Sequence, residues 1–217
     1  MTRKERAELL SRDLPRIYPD AHCELDFKNP LELLVATILS AQCTDVRVNM
    51  VTKELFKRCK TASDYAEIPQ EELEQIVRST GFYRNKAKSL RGMGAALMER
   101  HAGEVPCTMA ELSAIPGAGR KTANVVLGNA FSLNEGVVVD THVGRLSLRL
   151  GLTTHTNPVK VELDLMKLFP REEWTLLSHW LIWHGRRRCK ARNPDCTACE
   201  LRSLCPSADQ PDRLIKK

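Results

Sequence analysis

Two stretches of this 217-residue chain carry residue types that can do chemistry at the spacing chemistry needs. In the first, AIPGAGRKTANVV, a turn containing Gly117 and Gly119 runs into Arg120, Lys121 and Thr122. A nucleoside-triphosphate loop needs G-x-x-x-x-G-K-[ST], so that backbone N–H groups wrap the phosphates before the lysine reaches them. Ala114 stands where the first glycine belongs and Arg120 separates Gly119 from Lys121, so the pattern fails twice. The stretch instead predicts helix, tight turn and helix, a device suited to a single phosphate. Gly117 and Gly119 can take backbone angles closed to other residues, and N–H groups at a helix N-terminus favour an anion. Such contacts hold a nucleic-acid backbone without reading its bases, and Arg120 adds charge. Lys121 and Thr122 open the second helix, where a lysine serves either as a further phosphate contact or as a nucleophile. The second role requires a neutral amine, hence a site that disfavours the charge of an ordinary lysine. A glycine-rich helical turn with no ligand is the plainer alternative.

The second stretch, CKARNPDCTACELRSLC, spaces Cys189, Cys196, Cys199 and Cys205 as C-x6-C-x2-C-x5-C. Four soft thiolates at this spacing suit one metal centre, either zinc or an iron-sulfur cluster. Zinc more often takes two close pairs, and only Cys196 and Cys199 form one, so the spacing leans toward the cluster. Arg186, Arg187, Arg188, Lys190, Arg192 and Arg202 surround these ligands, as counter-charge for thiolates or as a basic loop that meets phosphates. The remaining cysteines, Cys23, Cys43, Cys59 and Cys107, are scattered and read as small buried hydrophobes. Between the two stretches lies VVVDTH. Its Asp140 can cap the following helix, or its carboxylate can stabilise a cationic sugar or manage protons for a nearby amine.

The elements that must position these residues are helical. Asn29 and Pro30 form a cap and first-turn pair ahead of Leu31, Leu34, Val35, Ile38 and Leu39 at helical spacing. Thr44 and Asp45 cap the next helix, and Pro69 with Glu71 and Glu72 opens another that stops before Gly81. Further helices are expected at about 84–101, 108–113, 121–131, 142–150, 158–168 and 172–185. The one strand-like run, GVVVD, is too isolated to make a sheet, and it reads as a crossing between two helical lobes that face each other across a cleft. The terminal SADQPDRLIKK reads as a mobile tail. No apolar run reaches the length of a membrane span, and the charged start lacks the apolar middle of a secretion signal, so an intracellular protein is expected. Thirty-three basic against 27 acidic residues give +6, which favours a polyanionic partner.

Taken together, IPGAGRKTANVV, VVVDTH and the four-cysteine tail resemble the endonuclease III family of DNA base-excision glycosylases. The resemblance extends to NPLELLVATILSAQCTDVRVN, GFYRNKAKSL and HGRRRC, in the family's order, over nearly the whole chain. It implies an all-α fold of two helical lobes, one of six helices carrying the hairpin (23–134) and one made from 1–22 with 135–217 that holds a 4Fe-4S cluster on the four cysteines. It also implies removal of oxidised pyrimidines from duplex DNA by a monomer. Lys121 matches the nucleophile that forms a Schiff base and permits strand cleavage by β-elimination, and Asp140 matches the essential aspartate. Gln42 and Phe82 match the residues that fill the gap left by the flipped nucleotide, Phe82 standing where leucine is expected. Gly117, Gly119, Arg120, Thr122, His142 and Arg186 are the further DNA contacts expected. Three alternatives remain at this point: an adenine-mismatch glycosylase, against which Lys121 argues; a DNA-binding helical protein without activity; and an iron-sulfur electron carrier.

Overall fold

The computed structural model describes residues 1–208 and 210. The expected mobile tail falls mostly on Asp209 and residues 211–217, outside the described residues, although its first residue, Ser207, is buried. Among the described residues there are eleven α-helices and no strand. Contacts divide the chain into two compact units, one of 23–133 and one of 1–22 with 134–217.

The first unit contains α2 (Pro30–Leu39), α3 (Asp45–Arg58), α4 (Ala62–Glu67), α5 (Gln70–Val77), α6 (Tyr83–His101), α7 (Met109–Ser113) and α8 (Arg120–Ala130). Caps set most of these starts: the side chains of Asn29, Thr44, Thr61 and Thr108 each accept a backbone N–H from the first turn of the helix that follows, each worth about 1 kcal/mol. Residues 33–39 of α2 are all buried, which places this helix at the centre of the unit. Helix α2 packs on α8, α3 and α6, while α7 packs on α8 to form the hairpin. Leu34, Ile38, Leu90, Met93, Leu112, Ile115, Val126 and Leu127 join the elements in one core.

The second unit contains α1 (Arg3–Ile17), α9 (Thr141–Arg149), α10 (Pro158–Leu168) and α11 (Trp174–Arg187). Thr2 and Glu5 form a reciprocal capping box at α1, and Asn157 caps α10 ahead of Pro158. Leu10, Leu14, Val143, Leu146, Leu165, Leu177, Leu181 and Leu201 make its core. GVVVD lies in no regular element: Val137 and Val138 are buried, and the Val138 N–H donates to Ser178 Oγ of α11 at 2.9 Å. Two expectations need correction. The first unit holds seven α-helices rather than six, α4 among those not foreseen, and Cys107 is exposed in the connection ahead of α7, whereas Cys59 is buried and Cys23 and Cys43 are partly so.

Candidate functional site

The hairpin is built around Gly117, whose φ of +82° lies in the left-handed region. A Cβ there would also stand 2.8 Å from Ser89 Cβ of α6, so both the turn and its seat on α6 require glycine. Gly119 differs from expectation. Its φ of −90° and ψ of 179° are open to any residue, and a Cβ on it would meet nothing within 4 Å. Its value lies in what it leaves out. As N-cap of α8 it offers no side-chain acceptor to the first turn that Arg120, Lys121 and Thr122 form. A helix N-terminus without a side-chain cap is a place where an anion is favoured. Lys121 is exposed at the second position of that turn, and Thr122 is half-buried behind it.

Gln42 and Phe82 lie in the same unit. Both are exposed, Phe82 to 63%, and both are held in the left-handed region, with φ of 53° and 47°. Such a conformation costs about 1–3 kcal/mol for a non-glycine residue and persists only where its surroundings enforce it. Gly81, just before Phe82, has φ 73° and ψ 159°, a region open essentially to glycine alone. Phe82 is therefore projected from a strained turn, and packing into the core is not its fate.

In the second unit Asp140 is the N-cap of α9, with Oδ1 accepting the Val143 N–H at 2.8 Å. Capping and chemistry are not exclusive, since the cap uses one of two carboxylate oxygens. His142 and Arg186 are brought to neighbouring ends of α9 and α11: Arg145 Nη2 donates to His142 Nδ1 at 3.3 Å and to Gly185 O at 3.1 Å. His142 is half-buried and Arg186 exposed.

All four cysteines line one cavity of about 30 Å³, with Arg149, His184 and Arg188 among its other walls. Arginines from α9 frame the loop that carries them. Arg149, only 2% exposed, donates to Cys189 Sγ at 3.3 Å, Lys190 O at 2.7 Å and Ala191 O at 3.0 Å, while Arg145 donates to Cys189 O at 2.9 Å. Burial, and then the neighbouring Arg149, lower the pKa of Arg145. On the far side, Tyr18 Oη lies 2.9 Å from His184 Nδ1, and His184 Nε2 lies 3.6 Å from Cys199 Sγ. Burial pushes His184 down to about 4, so this ring is neutral at pH 7.

The sequence pointed to the basic residues beside the cysteines, but Arg188 pairs with Glu200 and Asp195, and Arg187 stacks 3.7 Å over the Trp183 ring. The residues that hold the loop, Arg145, Arg149 and His184, were missed. The only signal for the arginines is their i, i+4 spacing on α9, which fixes a shared face and nothing about what meets it.

Residues 35–171 match the HhH-GPD superfamily of base excision DNA repair proteins. The chain is 52% identical over 207 residues to the endonuclease III of Synechocystis sp., covering 95% of this chain and 94% of that one. It is 47% identical over 204 residues to the endonuclease III of Bacillus subtilis, covering 93% of each. A solved structure of a trapped endonuclease III–DNA covalent intermediate, an estranged-adenine complex, superposes with a TM-score of 0.92 at 46% identity, covering 98% of this chain and 100% of that one. With this likeness spanning the hairpin, the capped aspartate and the cysteine loop alike, the chain belongs to the endonuclease III family.

Proposed function

We propose that the chain removes oxidised pyrimidines from duplex DNA and cleaves the strand, with Lys121 as nucleophile. The observation that carries this reading is the hairpin: an open helix N-terminus for one backbone phosphate presents Lys121 in its exposed first turn. The neutral amine attacks C1′ of the damaged nucleotide, and the base leaves with the electron pair of the glycosidic bond and takes a proton. Opening of the sugar gives a Schiff base; loss of a C2′ proton then expels the 3′ phosphate. Asp140 accepts the proton the amine must lose, or stabilises the cationic sugar, through the carboxylate oxygen its cap does not use. Gln42 and Phe82 fill the space left by the flipped nucleotide, and Arg120, Thr122, His142 and Arg186 contact the strand. Residues 23–134 act as the hairpin lobe, and 1–22 with 135–217 as the cluster lobe. The test is a duplex carrying one thymine glycol: base release and strand scission are both expected, and base release without scission would remove the lyase half.

Cys189, Cys196, Cys199 and Cys205 hold a 4Fe-4S cluster in this reading. The donor set fits. Among the described residues no three His, Cys, Asp or Glu side chains are gathered tightly enough for one metal ion, yet the four thiols surround a common space, as a polynuclear centre requires. Burial pushes the Cys199 thiol up to about 11 and raises Cys205, so a thiolate at either position needs a compensating positive charge. The cluster's contribution is to order the loop that Arg149 and Arg145 frame. Purified protein is expected to carry about four irons per chain; zinc without iron would contradict the assignment.

A further inference from the structure

Lys86 of α6 is only 5% exposed and lies among the buried residues of its helix. Its Nζ donates to Leu39 O at 2.9 Å and to Thr80 O at 2.7 Å. Leu39 is the last residue of α2, three positions ahead of Gln42; Thr80 is two positions ahead of Phe82. The Lys86 N–H in turn donates to Phe82 O at 3.0 Å. The lysine side chain therefore ties the residue two positions ahead of Phe82 to the end of α2, from which the Gln42 loop departs, while the bond to Phe82 O is the backbone bond that opens α6. Gln42 and Phe82, which follow the two accepting carbonyls by three and two positions, are both held at positive φ, a conformation that needs outside enforcement. Burying an ammonium is costly, and burial indeed lowers its pKa from the ordinary value, so a chain needing only a filled core has no use for it here.

We propose that Lys86 is a positioning residue that fixes Gln42 and Phe82 relative to each other, so that the two enter the DNA stack as one device. This rests on the reading of Gln42 and Phe82 as gap fillers. A merely structural lysine would support the fold and affect every substrate alike. A positioning lysine matters only where an opposite base must be met and a stack held open.

The experiment measures single-turnover base release on two substrates: an oxidised pyrimidine in a fully paired duplex, and the same strand placed opposite a one-nucleotide gap. Gln42→Ala and Phe82→Ala test the underlying reading, which requires each to slow the paired duplex more than the gapped one. Lys86→Met is expected to slow the paired duplex at least about tenfold, as misplacement of a positioned group does, with less than about a twofold loss on the gapped one. Lys86→Arg, which can still reach both carbonyls, restores the paired rate. In a Gln42→Ala/Phe82→Ala background, Lys86→Met should cost nothing further. If Lys86→Met yields no folded protein, Lys86→Gln replaces it in the same comparison. Equal loss on both substrates, or a further loss in the double-variant background, overturns the positioning role while leaving the filler reading intact. Absence of selectivity in the Gln42 and Phe82 variants overturns that reading, and this inference with it.

Discussion

Asp140 shows how one side chain can be asked two questions at once. Asparagine caps a helix about as well as aspartate, so Asp140→Asn should change stability by no more than a few tenths of a kcal/mol, because Oδ1 keeps its bond to the Val143 N–H. Loss of the charge should slow base release by about 10²–10⁴-fold, the range for a positioned acid or base. Asp140→Ala should lose both, with about 1 kcal/mol of stability gone as well. An Asp140→Asn protein with unchanged rate would leave the cap as the residue's whole role. At this scale the sequence offers candidates where chemistry is local: Lys121, Asp140 and the four cysteines stand in short motifs. Lys86, Arg149 and His184 were not, since their roles depend on partners 47, 40 and 15 positions away.

The hairpin offers a separation of two glycines that look equivalent in the sequence. Gly117→Ala must hold an L-residue at φ +82° and press a methyl toward Ser89, so a loss of about 1–3 kcal/mol is expected, with DNA affinity falling alongside. Gly119→Asp should do the opposite to stability. The carboxylate can cap α8 and interact with its dipole, raising stability by a few tenths of a kcal/mol, while it occupies the phosphate position and weakens DNA binding at least about tenfold. Thermal melts and binding to a non-cleavable abasic duplex measure both. Binding that survives Gly119→Asp would show that the phosphate does not sit on this helix end. Helix starts were legible because Asn29, Thr44, Thr108 and Asn157 announce them chemically. Helix α4 was not foreseen although Thr61 and Asp64 form a capping box at its start, and the valines of GVVVD reflect burial in an irregular segment, which periodicity does not distinguish from a strand.

For the molecule as a whole, buried histidines should tie stability to pH. Burial, and then the charge of His22, push His179 of α11 down to about 4, below its ordinary value near 6.5. Below about 6.5 the unfolded chain takes up a proton that the folded one refuses, so the stabilisation is complete above that pH and is lost as pH falls to about 4. The full loss is about 3 kcal/mol, and His184, shifted in the same direction, adds to the trend. Denaturation midpoints should therefore fall between pH 7 and 5, and His179→Gln should flatten that fall. Equal slopes in the two proteins would mean that His179 is not kept neutral by the fold.

The claim on which the rest depends is that the amine of Lys121 bonds to the sugar. Borohydride added during reaction with duplex DNA carrying an oxidised pyrimidine reduces a Schiff base to a stable amine, and peptide mass spectrometry of the product locates the modified residue. The adduct is expected on Lys121, the exposed lysine in the first turn of α8, and Lys121→Gln should keep affinity for damaged DNA while giving neither adduct nor base release. An adduct on any other residue, or undiminished base release by Lys121→Gln, would contradict the account.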